Sequence, residues 1–155
     1  MDSSSIERLC RPKAFNHPVS DFVMRETHIS WVILCGDYAY KLKKPVDFGF
    51  LDFSTLERRR HFCKEELRLN RRFSPELYLA VVSVTEDPDG PVFDGAGATI
   101  DYAVKMRRFN ESQLLDNIAA RGELDATLIR AIGRELARLH TEPVSYTHLT
   151  LPTIC

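Results

Sequence analysis

The sequence predicts an α+β domain: an antiparallel sheet that carries one long helix, followed by a short helical segment. Short runs of β-branched and aromatic residues flank turn residues before position 45. A long charged stretch then opens on a helix-capping signature. Two further apolar runs precede two segments of helical period.

In chain order, residues 1–20 are polar, contain Pro12 and Pro18 and lack a clear period, so they are expected to form an arm leading into the domain. Phe22 to Glu26 is a short candidate strand. ISWVILC (29–35) and YAYKLKK (38–44) flank Gly36-Asp37 and form a predicted hairpin, which Pro45 ends. Ser54-Thr55-Leu56-Glu57 fits a capping box with Ser54 as the cap, opening a helix to about Phe73. LYLAVVSV (77–84) is expected to be a buried strand, Asp87 to Gly90 a turn, and TIDYAVKMR (99–107) another strand. A helix over Ser112 to Ala120 stops at Gly122, and a second starts at the cap Asp125 with the apolar stripe Leu128, Ile132, Leu136 and Leu139.

Composition narrows the function. With 44% hydrophobic residues in 155, one ordinary core is expected, and a formal net charge of −1 gives no global attraction to nucleic acid or to an anionic membrane. The cysteines Cys10, Cys35, Cys63 and Cys155 form no Cys-x-x-Cys pair, so neither a zinc site nor a redox motif is expected. No apolar h-region opens the chain, and no apolar run reaches the ~20 residues of a membrane helix, so a soluble, cytoplasmic protein is expected.

An ATP site on a sheet needs a cation near the phosphates, an acid to hold that cation, and a strand edge for the adenine. Ala39-Tyr40-Lys41 has the Ala-x-Lys spacing of a kinase third strand: the small residue leaves room for adenine, and Lys41 points to the same face and reaches the phosphates. Against this stands a plain solvent-facing lysine beside Lys43 and Lys44. In the following helix Phe62, Glu66, Leu69 and Phe73 share a face by spacing, which makes Glu66 the partner of Lys41, with Glu65 as the second candidate. Either acid could equally be an exposed partner of a neighbouring Arg or Lys. Met106, Arg107 and Arg108, between strand and helix, are the candidate hinge whose backbone would meet adenine.

Other signals are set aside. Asp47-Phe48-Gly49 copies a kinase metal-binding motif but falls a few residues after Lys41, where that motif does not belong. Ala103-Val104-Lys105 repeats Ala-x-Lys without an acid-bearing helix after it. The run Arg58-Arg59-Arg60 with Lys64, Arg68, Arg71 and Arg72 suggests an RNA face, but Glu57, Glu65 and Glu66 interrupt it. The chain has no Gly-x-x-x-x-Gly-Lys-Ser/Thr phosphate loop.

The segments YKLKKPVDFGFLDFSTLE, HFCKEELRLNRR and YAVKMRRF resemble the aminoglycoside-phosphotransferase-like half of bacterial bifunctional proteins, in which a P-loop ATP-binding domain follows. The resemblance runs from about Pro12 to His140. It implies a protein-kinase-like N-lobe over 21–109, hinge included, and the first helices of a truncated C-lobe over 110–143. It also implies ATP as the nucleotide, with Lys41, Glu66, Ala39, Met106, Arg107 and Arg108 around it, and an acceptor that is an unspecified small molecule. The Leu139-His140 pair is similar to the one that precedes the catalytic loop in aminoglycoside and choline kinases. The His-Gly-Asp-x-x-x-x-Asn stretch and the second metal-binding Asp do not follow, so no catalytic residue and no Mg²⁺ ligand is assigned within this chain, which by itself is expected to be inactive. The nucleotide-covering loop would fall at Thr27 to Ser30, which has no Gly. A noncatalytic nucleotide- or partner-binding module is the alternative, and an RNA-binding module the third. Residues 144–155 lack Asp, Glu, Lys and Arg, and Val144 to Thr153 back-translates to resemble a sequencing-library adapter, so this tail is expected to be non-native.

Overall fold

The structure is a computed structural model that describes residues 3–141; the expectation for the tail 144–155 lies outside the described residues. The chain divides into two compact units, Met1–Phe109 and Asn110–Cys155.

The first unit is built on a six-stranded antiparallel sheet. Its strands are β1 (Phe22–Glu26), β2 (Ser30–Cys35), β3 (Tyr38–Lys43), β4 (Tyr78–Thr85), β5 (Val92–Phe93) and β6 (Thr99–Arg107), in the spatial order β1-β2-β3-β6-β4-β5. Helix α2 (Leu56–Asn70) joins β3 to β4 and packs against β6 and β4. The β2–β3 connection is the expected two-residue turn, and Gly36 supplies the positive φ of 51° that the tight reversal needs.

Register decides which side chains share a face. Tyr40 lies opposite Lys105 and Leu42 opposite Ala103, whereas Lys41 lies opposite Val104 and Ala39 opposite Met106. Tyr40, Leu42 and Ala103 join Trp31, Ile33, Val82 and Val84 in the main apolar core. Residues 3–15 cover this core. Helix α1 (Ser3–Leu9) inserts Ile6 and Leu9, both fully buried, and Phe15 packs its ring against Tyr40 and Phe93. The expected arm is therefore part of the core: its apolar residues are too few to show a period, yet full burial of Ile6 and Leu9 contributes about 1.5–3 kcal/mol each. Arg11 fastens the segment by donating from Nη2 to the Gly90 carbonyl at 2.8 Å.

Helix α2 departs from expectation at its start and on its docking face. Its cap is Thr55, whose hydroxyl accepts from the Arg58 amide, while the Ser54 hydroxyl donates to Asp52 at 2.6 Å. Leu69 and Phe73 are exposed, and the helix residues turned inward are Arg59, Cys63 and, half-buried, Glu66 and Asn70. The docking stripe is largely polar: of the face that the spacing predicts, Glu66 and the half-buried Phe62 turn inward and Leu69 and Phe73 do not.

In the second unit, α3 (Leu115–Ala120) ends at Gly122, where φ is 71°, and α4 (Ala126–Thr141) is capped by Asp125, which accepts from the Leu128 amide at 2.8 Å. The helix expected from Ser112 is split, because Leu114 is extended between a 3-10 turn (Glu111–Gln113) and α3. Leu128, Ile132 and Leu139 are half-buried, and Leu136 is exposed. Among the described residues no helix is long and apolar enough to cross a membrane.

Candidate functional site

The candidate site lies on the sheet face that α2 covers. Alternation along β3 places Ala39, Lys41 and Lys43 on that face, and the β6 register adds Val104 and Met106 beside them. Helix α2 brings Glu66 over the same strand. Lys41 Nζ donates to Glu66 Oε1 at 2.8 Å, and Lys43 Nζ donates to Glu66 Oε2 at 2.7 Å. One carboxylate is thus shared by two ammonium groups.

The two lysines differ in environment. The Lys43 side chain is 6% exposed and its ammonium lies 4.8 Å from the centre of the Phe53 ring, whereas the Lys41 side chain is 32% exposed. Glu66, at 14% exposure, is more enclosed than Lys41. Burial pushes its carboxyl up, but the hydrogen bonds and charges of Lys41 and Lys43 outweigh that penalty, and the net direction is down. The carboxylate is held ionised. Asn70 donates from Nδ2 to the Glu66 carbonyl at 2.8 Å and braces the last turn of α2 from which Glu66 projects.

A second ion pair anchors the other end of the helix. Arg59 Nε donates to Asp101 Oδ1 at 2.8 Å, and Arg59 Nη1 donates to the carbonyls of Phe53 and Ser54 at 3.1 and 3.2 Å. Sequence reasoning placed Arg59 in a surface basic run; its register of four and seven before Cys63 and Glu66 is the signal that marks it as inward-facing. Lys43 was likewise grouped with surface lysines, although the two-residue alternation from Lys41 already put it on the same face.

The remaining candidates separate clearly. Glu65 faces outward and pairs with Arg68 one turn on, at 2.7 Å. Met106 sits inside β6, between Ala39 of β3 and Tyr78 of β4. The amide of Arg107 donates to the Leu77 carbonyl and that of Arg108 to the Asp37 carbonyl, each at 2.8 Å, so both of these amides of the candidate hinge are engaged within the unit. Arg108 also lies 3.7 Å from the Asp21 carboxylate. At Thr27 to Ser30 the chain makes a closed turn: the Thr27 hydroxyl donates to the Ser30 carbonyl and accepts from the Ser30 amide, while the Ser30 side chain is buried.

The residues set aside in the sequence have structural uses. Asp47 Oδ1 accepts from the Gly49 amide at 2.8 Å in a turn where Gly49 has φ 80°, and Phe48 and Phe50 are exposed at its tip. Lys105 lies on the opposite face of the sheet from Lys41, 4.2 Å from the Tyr38 ring centre. The Arg-rich helix presents no continuous free basic face: Arg59 is buried, Arg58 pairs with Asp52, Arg60 lies over Tyr102, and Arg71 donates to the carbonyls of Tyr78 and Leu79.

The comparisons with known proteins bear on extent rather than activity. No family model matches the chain, and no solved structure matches it. Among curated proteins it is similar to an uncharacterized protein of Mycobacterium bovis and to uncharacterized proteins of two strains of Mycobacterium tuberculosis, each 36% identical over 143 residues. The aligned region is 90% of this chain and 26% of each relative, so the chain spans about a quarter of the length of the curated relatives it matches.

Proposed function

We propose that this chain is the nucleotide-binding lobe of a kinase-like phosphotransferase, of the aminoglycoside-phosphotransferase type, with ATP as its ligand. The observation that carries the reading is the ion pair between Lys41 on the third strand and Glu66 on the helix that follows, at 2.8 Å. In kinase-like catalysis the protein acts chiefly by positioning and electrostatics, and a strand lysine held by a helix glutamate fixes a cation at the phosphates. The order of three strands, a helix and the paired strands β4 and β6 supports a protein-kinase-like N-lobe. Ala39 and Met106, cross-strand neighbours on the Lys41 face, offer a small residue and a pliable apolar one where an adenine ring would lie.

Phosphoryl transfer also calls for a base and for Mg²⁺, which bridges phosphate oxygens and neutralises developing charge. Among the described residues no group of three or more His, Cys, Asp or Glu could hold a metal ion. In this reading the chain supplies binding groups, not metal ligands. Its own residues have a narrower role: Lys41 donates to phosphate oxygens, Glu66 holds Lys41, and the Ala39–Met106 floor takes the base. In a longer parent protein the acceptor, the base and the metal ligands, and a P-loop partner domain, belong to other segments.

The test is a titration of the isotope-labelled chain with ATP followed by amide chemical shifts. Shifts concentrated at Ala39, Lys41, Glu66 and Met106 support the reading. Shifts confined to the α2 arginines, or none at millimolar ATP, overturn it.

A further inference from the structure

Resting on that nucleotide-site reading, we propose that Lys43 is a positioning residue: it neutralises Glu66 from the buried side and so leaves the charge of Lys41 free for a polyphosphate. A carboxylate as enclosed as that of Glu66 is costly to leave without a cation. Were Lys41 its sole counter-ion, drawing Lys41 toward a phosphate would uncover that charge, and the strand–helix pair would be electrically neutral toward an anion. The second lysine changes both terms. Lys43 Nζ holds Oε2 at 2.7 Å and is itself enclosed between Glu66 and the Phe53 ring, so it stays in place while Lys41 moves. Two ammonium groups on one carboxylate give the cluster a net charge of one positive, and the partly exposed member is Lys41. Lys41 uses one of its three donors on Oε1, and the others can meet phosphate oxygens. Asn70 bonds the Glu66 backbone carbonyl independently of either lysine, so the turn that bears Glu66 keeps this restraint when Lys43 is lost.

The experiment is the same amide-shift titration with ATP, in which a dispersed spectrum marks the folded molecules, applied to Lys43→Met, Lys43→Arg, Lys43→Gln and Lys41→Met. Lys43→Met should weaken ATP binding by about tenfold or more, the usual size of coupling between neighbouring sites. Lys43→Arg should keep it, and Lys43→Gln, which can still donate to Glu66 but lacks the charge, should lose as much as Lys43→Met. Unchanged ATP affinity in Lys43→Met, with Lys41→Met abolishing binding, overturns the role of Lys43 alone. Should Lys43→Met fail to fold, Lys43→Gln decides: affinity weakened about tenfold or more supports the charge role of Lys43, and wild-type affinity overturns it. If Lys41→Met binds ATP as the wild type does, the nucleotide-site reading itself fails.

Discussion

Arg59 donates from Nε to Asp101 at 2.8 Å with both side chains buried, and this contact joins the first turn of α2 to β6. Two further bonds from Arg59 Nη1 to the carbonyls of Phe53 and Ser54 close the chain leading into the helix. The position of Glu66 over β3 depends on how the helix is anchored at this end. Removing one partner of a buried pair leaves an uncompensated charge, which costs about 3–5 kcal/mol. Arg59→Ala and Asp101→Ala should each lower the unfolding free energy by that amount in urea titrations, a large share of the stability of a domain this size. A loss below about 1 kcal/mol would show that the pair is not what docks the helix.

The pH dependence of stability should carry the signature of Glu66. Its folded carboxyl is depressed: burial raises it, and the hydrogen bonds and charges of Lys41 and Lys43 lower it by more. A depressed acid contributes stability that is present above its unfolded value, about 4.3, and is lost as pH falls through the lower folded value. Cys63 and Tyr78, which also sense the Glu66 charge, are raised by burial and remain protonated throughout that window. Glu66→Gln should therefore be less stable than wild type by a constant margin at neutral pH, with the margin shrinking below about pH 4.3. Parallel stability curves down to pH 3 would contradict the assignment.

Much of this architecture is legible in the residues. TIDYAVKMR forms β6 over its full length, and Phe22 to Glu26 forms β1, because alternation and β-branched content act locally. Helix α2 shows where such reading stops. Its inward stripe of Arg59, Cys63, Glu66 and Asn70 is mostly polar, and its stability comes from partners that are distant in sequence, so Leu69 and Phe73 suggest a burial that the structure does not give, whereas Phe62 is half-buried against Phe53. The pairing of Lys41 with Glu66 was legible from spacing. The sharing of Glu66 with Lys43 required the register and the burial together.

The capping residue of α2 gives a third test. Thr55 accepts from the Arg58 amide, and Ser54 instead bonds Asp52. Thr55→Ala should cost about 1 kcal/mol of unfolding free energy, the usual cost of a lost hydroxyl cap. Ser54→Ala, whose exposed side chain caps no helix, should cost less; the reverse order would restore Ser54 as the cap.

Thiol reactivity reports on the docking of α2. Burial, opposed only in part by Lys43 and Lys41, pushes the Cys63 thiol up to about 12. At pH 8 its thiolate fraction is on the order of one in ten thousand, and only the thiolate reacts. With Cys155 replaced by Ser, Cys63 should resist a disulfide reagent in the native protein and react fully in denaturant. Arg59→Ala should speed its labelling, since that change loosens the helix over the thiol. Rapid labelling of Cys63 in the native protein would contradict the packing of α2 on β6.

The most direct measurement of the central claim is the affinity of Lys41→Met for ATP, read by amide shifts beside the unaltered protein. The lysine lies at the exposed end of the cluster, so its removal should leave the dispersed spectrum of the folded sheet intact. The account predicts loss of the ATP-dependent shifts at Ala39 and Met106. Binding of ATP by Lys41→Met with unchanged affinity and the same shifts would contradict it.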